Sequence, residues 1–361
     1  MKLPRHAELW LVPYLRNRAD QLLLRNGQSS GPARVWLAIA DHFEPFWATG
    51  SLEVAQQRIG RYEAQWPRIA NSSPRDAAGR KPKYTFFYPQ EEYRPELLRR
   101  LAGMVQQGIA DVEVHIHHDR EGREDFIRRV RGFCELLFHE HGLLRYVDGQ
   151  VRFGFIHGNW ALDNSLPGGL WCGLNGEIRL LHDLGCYADF TMPSGNSPSQ
   201  TRMVNQIYWC TDSNAPKSYD RGVRAEIGGG VRGDLLMISG PLGLRWKGRL
   251  LPRMEKGEVA AHDPPSPYRV RRWFDLAPRI GCDTFIKLYT HGAQDANAET
   301  LLNGALQDTF RWVSEEADAR SSQLYFVSAW EMYGAVSALC AGREPTIGAA
   351  GVNRGAGACG S

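Results

Sequence analysis

Short runs rich in β-branched and aromatic residues alternate with helix-periodic segments along most of this chain, and no other feature constrains its fold as strongly. The runs are VWLAIAD (35–41), KYTFFYP (83–89), VEVHIH (112–117), VRFGFIH (151–157), CYADF (186–190), TFIKLYT (284–290) and QLYFVSA (323–329). Helical periodicity occupies roughly 51–70, 92–107, 121–141, 175–184, 295–318 and 329–340, with Gly108, Gly142 and Gly185 just past three of the ends. Such alternation predicts an α/β protein with a parallel sheet and right-handed crossovers, either open and doubly wound or closed as a barrel. No G-x-G-x-x-G follows the first run and no G-K-[ST] occurs in a phosphate-loop context, which removes the main nucleotide-binding readings.

The segment 206–272 breaks the pattern. Its glycine cluster (Gly228 to Gly230), the stretches DLLMISG and LGLRWKG and the proline-rich HDPPSPYRV read as an inserted group of β-hairpins after the fifth strand. Residues 1–33 read as an amphipathic prefix that either stands apart or docks on the α/β domain of 34–341. The glycine- and alanine-rich tail, 342–361, is expected to be disordered.

Composition narrows the partners. The 43 basic and 40 acidic residues are spread through the chain, without a long basic block or basic–aromatic interleaving, so no nucleic-acid partner is expected. The N-terminal stretch is interrupted by Glu8, Pro13, Arg16, Arg18 and Asp20, which predicts neither a signal peptide nor an integral membrane segment. Seven scattered cysteines without a C-x-x-C spacing suit reduced thiols and a cytoplasmic location. Nothing in the sequence sets the oligomeric state.

If the strands are parallel, their C-terminal ends gather on one face. That face would collect Asp41, His42 and Glu44 after the first strand, His115 to Glu121 after the third, and His157, Asn159 and Trp160 after the fourth, with Asp189 on the fifth and His291 after the sixth. In VEVHIH the alternation turns Val114 and Ile116 outward under helices and Glu113, His115 and His117 the other way. Four strands ending in histidine are hard to assign to packing, since histidine ligates metals and titrates near neutral pH.

The segments DHFEPF, EVHIHHDRE, FIHGNWALDNS, LGCYADFTMPS, KLYTHG and YFVSAWEMY, over roughly residues 34–340, resemble the motifs of polysaccharide deacetylase-like proteins. These belong to the glycoside hydrolase/deacetylase superfamily, and the closest likeness is to an uncharacterised branch of it. The resemblance implies a single (β/α)7-type barrel. It implies Asp41 as general base, His42 as a metal ligand and His291 as general acid. Two further ligands would be His117 and Glu121 or, in a shifted register, His115 and Asp119. His157, where the family carries an arginine, with Asn159, Trp160 and Asp189, would then bind substrate. The cofactor expected is a divalent transition metal, zinc before cobalt, nickel or iron. The activity expected is deacetylation of an N-acetylated sugar or glycan by metal-activated water. The alternatives are an inactive carbohydrate-binding barrel and an amidohydrolase-like enzyme built on the H-x-H pair His115 and His117.

Overall fold

Alternation in the sequence becomes a mixed α/β architecture whose central sheet is mostly parallel. The computed structural model describes residues 4–24, 32–247 and 251–347. Helix α1 (Ala7–Leu24) precedes β1 (Arg34–His42); α2 (Leu52–Ser72) leads to β2 (Tyr84–Pro89), and α3 (Pro95–Gln106) to β3 (Ala110–Ile116). Next come α4 (Arg123–Glu135), the short β4 (Arg145–Val147), β5 (Gln150–His157), α5 (Glu177–Asp183) and β6 (Cys186–Asp189). The strands β7 (Ile207–Cys210), β8 (Val223–Arg224), β9 (Leu235–Ile238), β10 (Gly243–Lys247) and β11 (Leu251–Glu255) follow. The last elements are α6 (Pro267–Leu276), β12 (Arg279–Ile280), β13 (Asp283–Thr290), α7 (Asp295–Thr300), α8 (Leu306–Ala319), β14 (Gln323–Phe326) and α9 (Ala329–Cys340).

The order β13-β1-β2-β3-β5-β6-β9 is parallel at every step. β13 pairs along nearly all of β1, while the other edge of β1 is shared between β14, beside Arg34 to Leu37, and β2, beside Ala40 to His42. Parallel register brings the C-terminal ends of β1, β2, β3, β5 and β13 together, and that end carries the site.

Strand parity decides what each face holds. On β1, Val35, Leu37 and Ile39 join the large core beneath α2, α3, α4 and α8, with Ile59, Trp66, Leu101, Val130 and Phe310. Trp36, Ala38 and Ala40 face the other way, into a cluster with Phe87, Ile156 and Phe285 that α9 covers through Met332, Val336 and Leu339. On β3 the helix-facing residues are Val112, Val114 and Ile116, as the alternation predicts.

One segment differs from expectation, and at the N-terminus one of two expected arrangements is found. The segment 206–272 is only partly a set of separate hairpins: β10 and β11 pair with each other alone, and β7 is antiparallel to β8 and β9, but β9 pairs parallel with β6 and extends the central sheet. A short run that is apolar at every position, such as LLMI, carries no period that separates a central strand from a hairpin strand. At the N-terminus, α1 packs Trp10 and Tyr14 on Leu242, Met254 and Leu276. Residues 348–361, most of the tail expected to be disordered, lie outside the described residues. No helix among those described is long and apolar enough to cross a membrane.

Candidate metal centre

At the strand ends, two imidazoles converge on one carboxylate. His115, on the inner face of β3, and His117, just past its end, direct their Nε2 atoms at Glu44 Oε1, at 3.2 Å and 3.5 Å. Glu44 comes from the turn that follows β1. That turn is held by Arg58, which donates to the carbonyls of Pro45 (2.9 Å) and Trp47 (2.7 Å), and by the Phe46 amide, which donates to Glu92 (2.8 Å).

Each imidazole is oriented from behind. His115 Nδ1 donates to the Ile156 carbonyl at 2.9 Å. His117 Nδ1 donates to Glu91, which also accepts from the His117 amide at 3.2 Å. With Nδ1 carrying the proton in both rings, two Nε2 lone pairs face a carboxylate oxygen. Three acceptors aimed at one point require a cation between them, either protons on the imidazoles or a metal ion. Fixing the ring through the far nitrogen is the usual support for a metal-ligating histidine. The donor atoms of Glu44, His115 and His117 all lie within 4.8 Å of one another, so these residues could hold a metal ion.

The position of His117 depends on Gly158, where a Cβ would lie 2.2 Å from the imidazole ring. Electrostatics agree. Burial pushes the Glu44 carboxyl up, but the bond from His115 and the surrounding histidines more than offset it, leaving Glu44 below the ordinary carboxylate range. Burial lowers His117, yet Glu91 and Glu44 outweigh it and raise its pKa. His115 is fully buried and the His117 side chain is 31% exposed, so the group opens to solvent on one side.

Next to these candidate ligands stand His42 and His291, ring centroids 4.7 Å apart, with His42 5.3 Å from His115. Trp160 lies over both, 5.9 Å and 5.8 Å away. Burial lowers the pKa of both histidines, and their mutual repulsion lowers His42 further, so both rings are neutral near pH 7.

The structure therefore brings His42, His115, His117, Trp160 and His291 to one place, and it takes other expected residues elsewhere. Asp41 and His42 are adjacent on a strand and face opposite ways. Asp41 lies on the helix-facing side, accepting from the Tyr84 hydroxyl at 2.8 Å and the Gly292 amide at 2.6 Å, and burial pushes its pKa up to about 7. This geometry does not suit the general-base role; it ties β1 to the loop that carries His291. A Cβ at Gly292 would lie 2.3 Å from Asp41 Oδ2, so the contact also depends on that glycine. Asp41→Asn, which can still accept from Gly292, is expected to change turnover by less than about tenfold, where loss of a general base would cost about 10²–10⁴-fold. Asp41→Ala leaves both donors unpaired, and chemical denaturation should report a loss of about 1–3 kcal/mol.

Glu121 turns away from His117 to pair with Arg129 at 2.9 Å, and Asp119 accepts from the Trp171 amide at 2.7 Å; neither completes the ligand set. The carboxylate comes from a different strand end, which no spacing within EVHIHHDRE can show. Asn159 is exposed on the segment after β5. Asp189 accepts from the Thr191 hydroxyl at 2.6 Å, below the histidines. It faces Lys287, which donates to the carbonyls of Phe190 and Met192; burial raises the carboxyl and lowers the ammonium. His157, at an outward position of β5, joins His118, Cys172 and Glu177 in a second buried group whose donor atoms lie within 4.8 Å. Sequence reasoning did not single out Glu91, Cys172 or Glu177. The rule that collects C-terminal strand ends would have reached Glu91 had it been applied to the second strand.

No family model matches this chain, and no curated protein matches it.

Proposed function

We propose that this chain is a metal-dependent hydrolase of the polysaccharide deacetylase-like kind, its sheet forming part of a (β/α)7-type barrel, and that it removes acetyl groups from an N-acetylated sugar or glycan. The observation that carries the reading is the convergence of His115 Nε2 and His117 Nε2 on Glu44, with both Nδ1 atoms already committed. Two imidazoles and one carboxylate suit zinc, with cobalt, nickel or iron as substitutes. A divalent metal in this set supplies Lewis acidity toward an acyl oxygen and lowers the pKa of water from about 15.7 toward 7.

The chain's own groups supply the proton transfers. His291 is held neutral by burial, so it can take a proton from the attacking water. The imidazolium formed can return that proton to the departing amine, which makes one residue the base and then the acid. His42, 4.7 Å away and also neutral, leaves no second positive charge to oppose that transfer. Trp160 covers the pair and offers an apolar face of the kind on which sugar rings stack.

Acetate release from N-acetylated oligosaccharides, measured on zinc-loaded and chelator-treated protein, tests this. Release is expected only with metal and is expected to fall about 10²–10⁴-fold in His291→Ala. The orientation of Asp41 favours a second reading, a glycan-binding fold without catalysis. Stoichiometric metal with glycan binding but no release from any acetylated sugar would select it.

A further inference from the structure

Behind the candidate centre, on the helix-facing side of the same strand ends, the chain buries a carboxylate that pairs with no lysine or arginine among the described residues. Glu177, at the start of α5, is fully buried; its side-chain partners among the described residues are His118, His157 and Cys172, and it accepts from the Asp163 amide at 2.6 Å. His118 Nε2 stands 3.1 Å from Glu177 Oε1 and 2.8 Å from His157 Nε2, His157 Nε2 stands 3.5 Å from the same oxygen, and Cys172 Sγ lies 3.4 Å from Glu177 Oε2.

We propose that His118, His157, Cys172 and Glu177 form a second, closed metal site of structural type, filled by zinc, which clamps the segment 158–176 onto β5 and the end of β3. Four observations point there. The first is the donor set: with bonds of about 2.0–2.3 Å, a tetrahedral site has edges of about 3.3–3.8 Å, and three of the four contacts lie within a few tenths of an ångström of that range. Among these four contacts the imidazole pair is the one that must open, by about half an ångström, and all the donor atoms lie within 4.8 Å of one another.

The second is the hydrogen bonding around the donors. His157 Nδ1 donates to the Gly158 carbonyl at 2.6 Å, which leaves Nε2 as a lone pair aimed into the group. The amides of Asn164 and Leu174 donate to Cys172 Sγ from 3.2 Å and 3.4 Å and so oppose burial and Glu177, which together hold the metal-free thiol well above its ordinary pKa; a cation at this point would supply the remaining stabilisation of the thiolate. The third is an orphan. His118 Nδ1 is buried without a hydrogen bond and lies 3.8 Å from Glu121 Oε2, so the small shift that would open the imidazole pair can also complete a carboxylate–histidine–metal relay.

The fourth is charge. A divalent cation, one thiolate, one carboxylate and two neutral imidazoles sum to zero, as burial of all four side chains demands. Binding forms the metal–sulfur bond as the thiol proton leaves to solvent, with no change of oxidation state. The clamp also has something to hold. The segment 158–176 contains only two single-turn helices, and left-handed conformations recur at Asn159, Trp160, Asp163, Asn164 and Trp171. It carries Trp160, which covers His42 and His291.

Cobalt reconstitution of the full chain separates this site from the centre around Glu44, because only this one contains sulfur. The wild-type protein saturated with cobalt is expected to show a near-ultraviolet sulfur-to-cobalt charge-transfer band. Cys172→Ser should lose that band and one cobalt per chain, whereas Glu44→Ala should lose a different cobalt and keep the band. A saturated wild-type protein with no band would overturn the proposal without recourse to any variant. A band that survives in Cys172→Ser, or disappears in Glu44→Ala, would overturn it as well.

Discussion

His115→Ala is expected to weaken metal binding at the strand-end centre by more than about 100-fold, beyond the roughly 10–100-fold that loss of a supporting partner costs. The variant removes a candidate ligand atom, whereas Glu91→Gln keeps an acceptor for His117 and removes only the charge behind it, so its effect should fall within or below that smaller range. The two also differ in pH dependence. A metal takes the neutral imidazole, so affinity is full above the pKa of His117 and declines as pH falls through it. Burial lowers that pKa, but Glu91 together with Glu44 and Glu92 more than compensates, so in the wild type the decline begins above the ordinary 6.5. In Glu91→Gln that compensation is reduced, Glu44 and Glu92 remaining, and the decline moves to lower pH. Calorimetric zinc titrations across this range check both statements. An affinity in His115→Ala equal to that of the wild type would remove His115 from the ligand set.

Arg145→Met is the second large effect, on stability. Arg145 is 1% exposed and meets Asp111 and Glu113, both buried, while Glu113 also accepts from the Gly154 amide at 2.6 Å. Methionine fills much of the volume but leaves two carboxylates with no cation between them. Breaking a buried pair in this way costs about 3–5 kcal/mol, which denaturant unfolding would show directly. The sign of the pH dependence follows. Burial already holds the Glu113 pKa above its usual value in spite of Arg145, and removing the cation raises it further. A carboxyl whose folded pKa is raised loses stability as pH increases from its unfolded value toward its folded one, so the variant should be most stable in acid. Adding Glu113→Gln should recover part of the loss. A cost under about 1 kcal/mol at neutral pH would mean that water reaches the pair.

How far the site could be read in advance depended on whether its partners shared a strand. His115 and His117 are two apart in a strand with apolar residues between, so their common face follows from the period alone. Parity also carries a warning against assigning both Asp41 and His42 to one centre, since neighbours on a strand point apart. The small residues Ala38 and Ala40 mark the face that His42 shares, and the larger Val35, Leu37 and Ile39 mark the face of Asp41. Glu44 was visible as a residue at a strand end. Its place beside His115 depends on a turn held by Arg58 and Glu92, and neither is near Glu44 in any repeating pattern.

Local periodicity and end signals were thus enough to establish that strands alternate with helices, that the sheet is mostly parallel and that histidines crowd its C-terminal edge. These properties depend on residues two to four apart, and steric and hydrophobic preferences at that range act before the chain is folded. Tertiary structure alone decided which carboxylate meets His115 and His117, that β9 joins the sheet beside β6, and that Cys172 and Glu177 close on His118 and His157. Those contacts join residues whose separation in the chain carries no period. They are set by where packed elements leave a buried charge or lone pair that must find a partner.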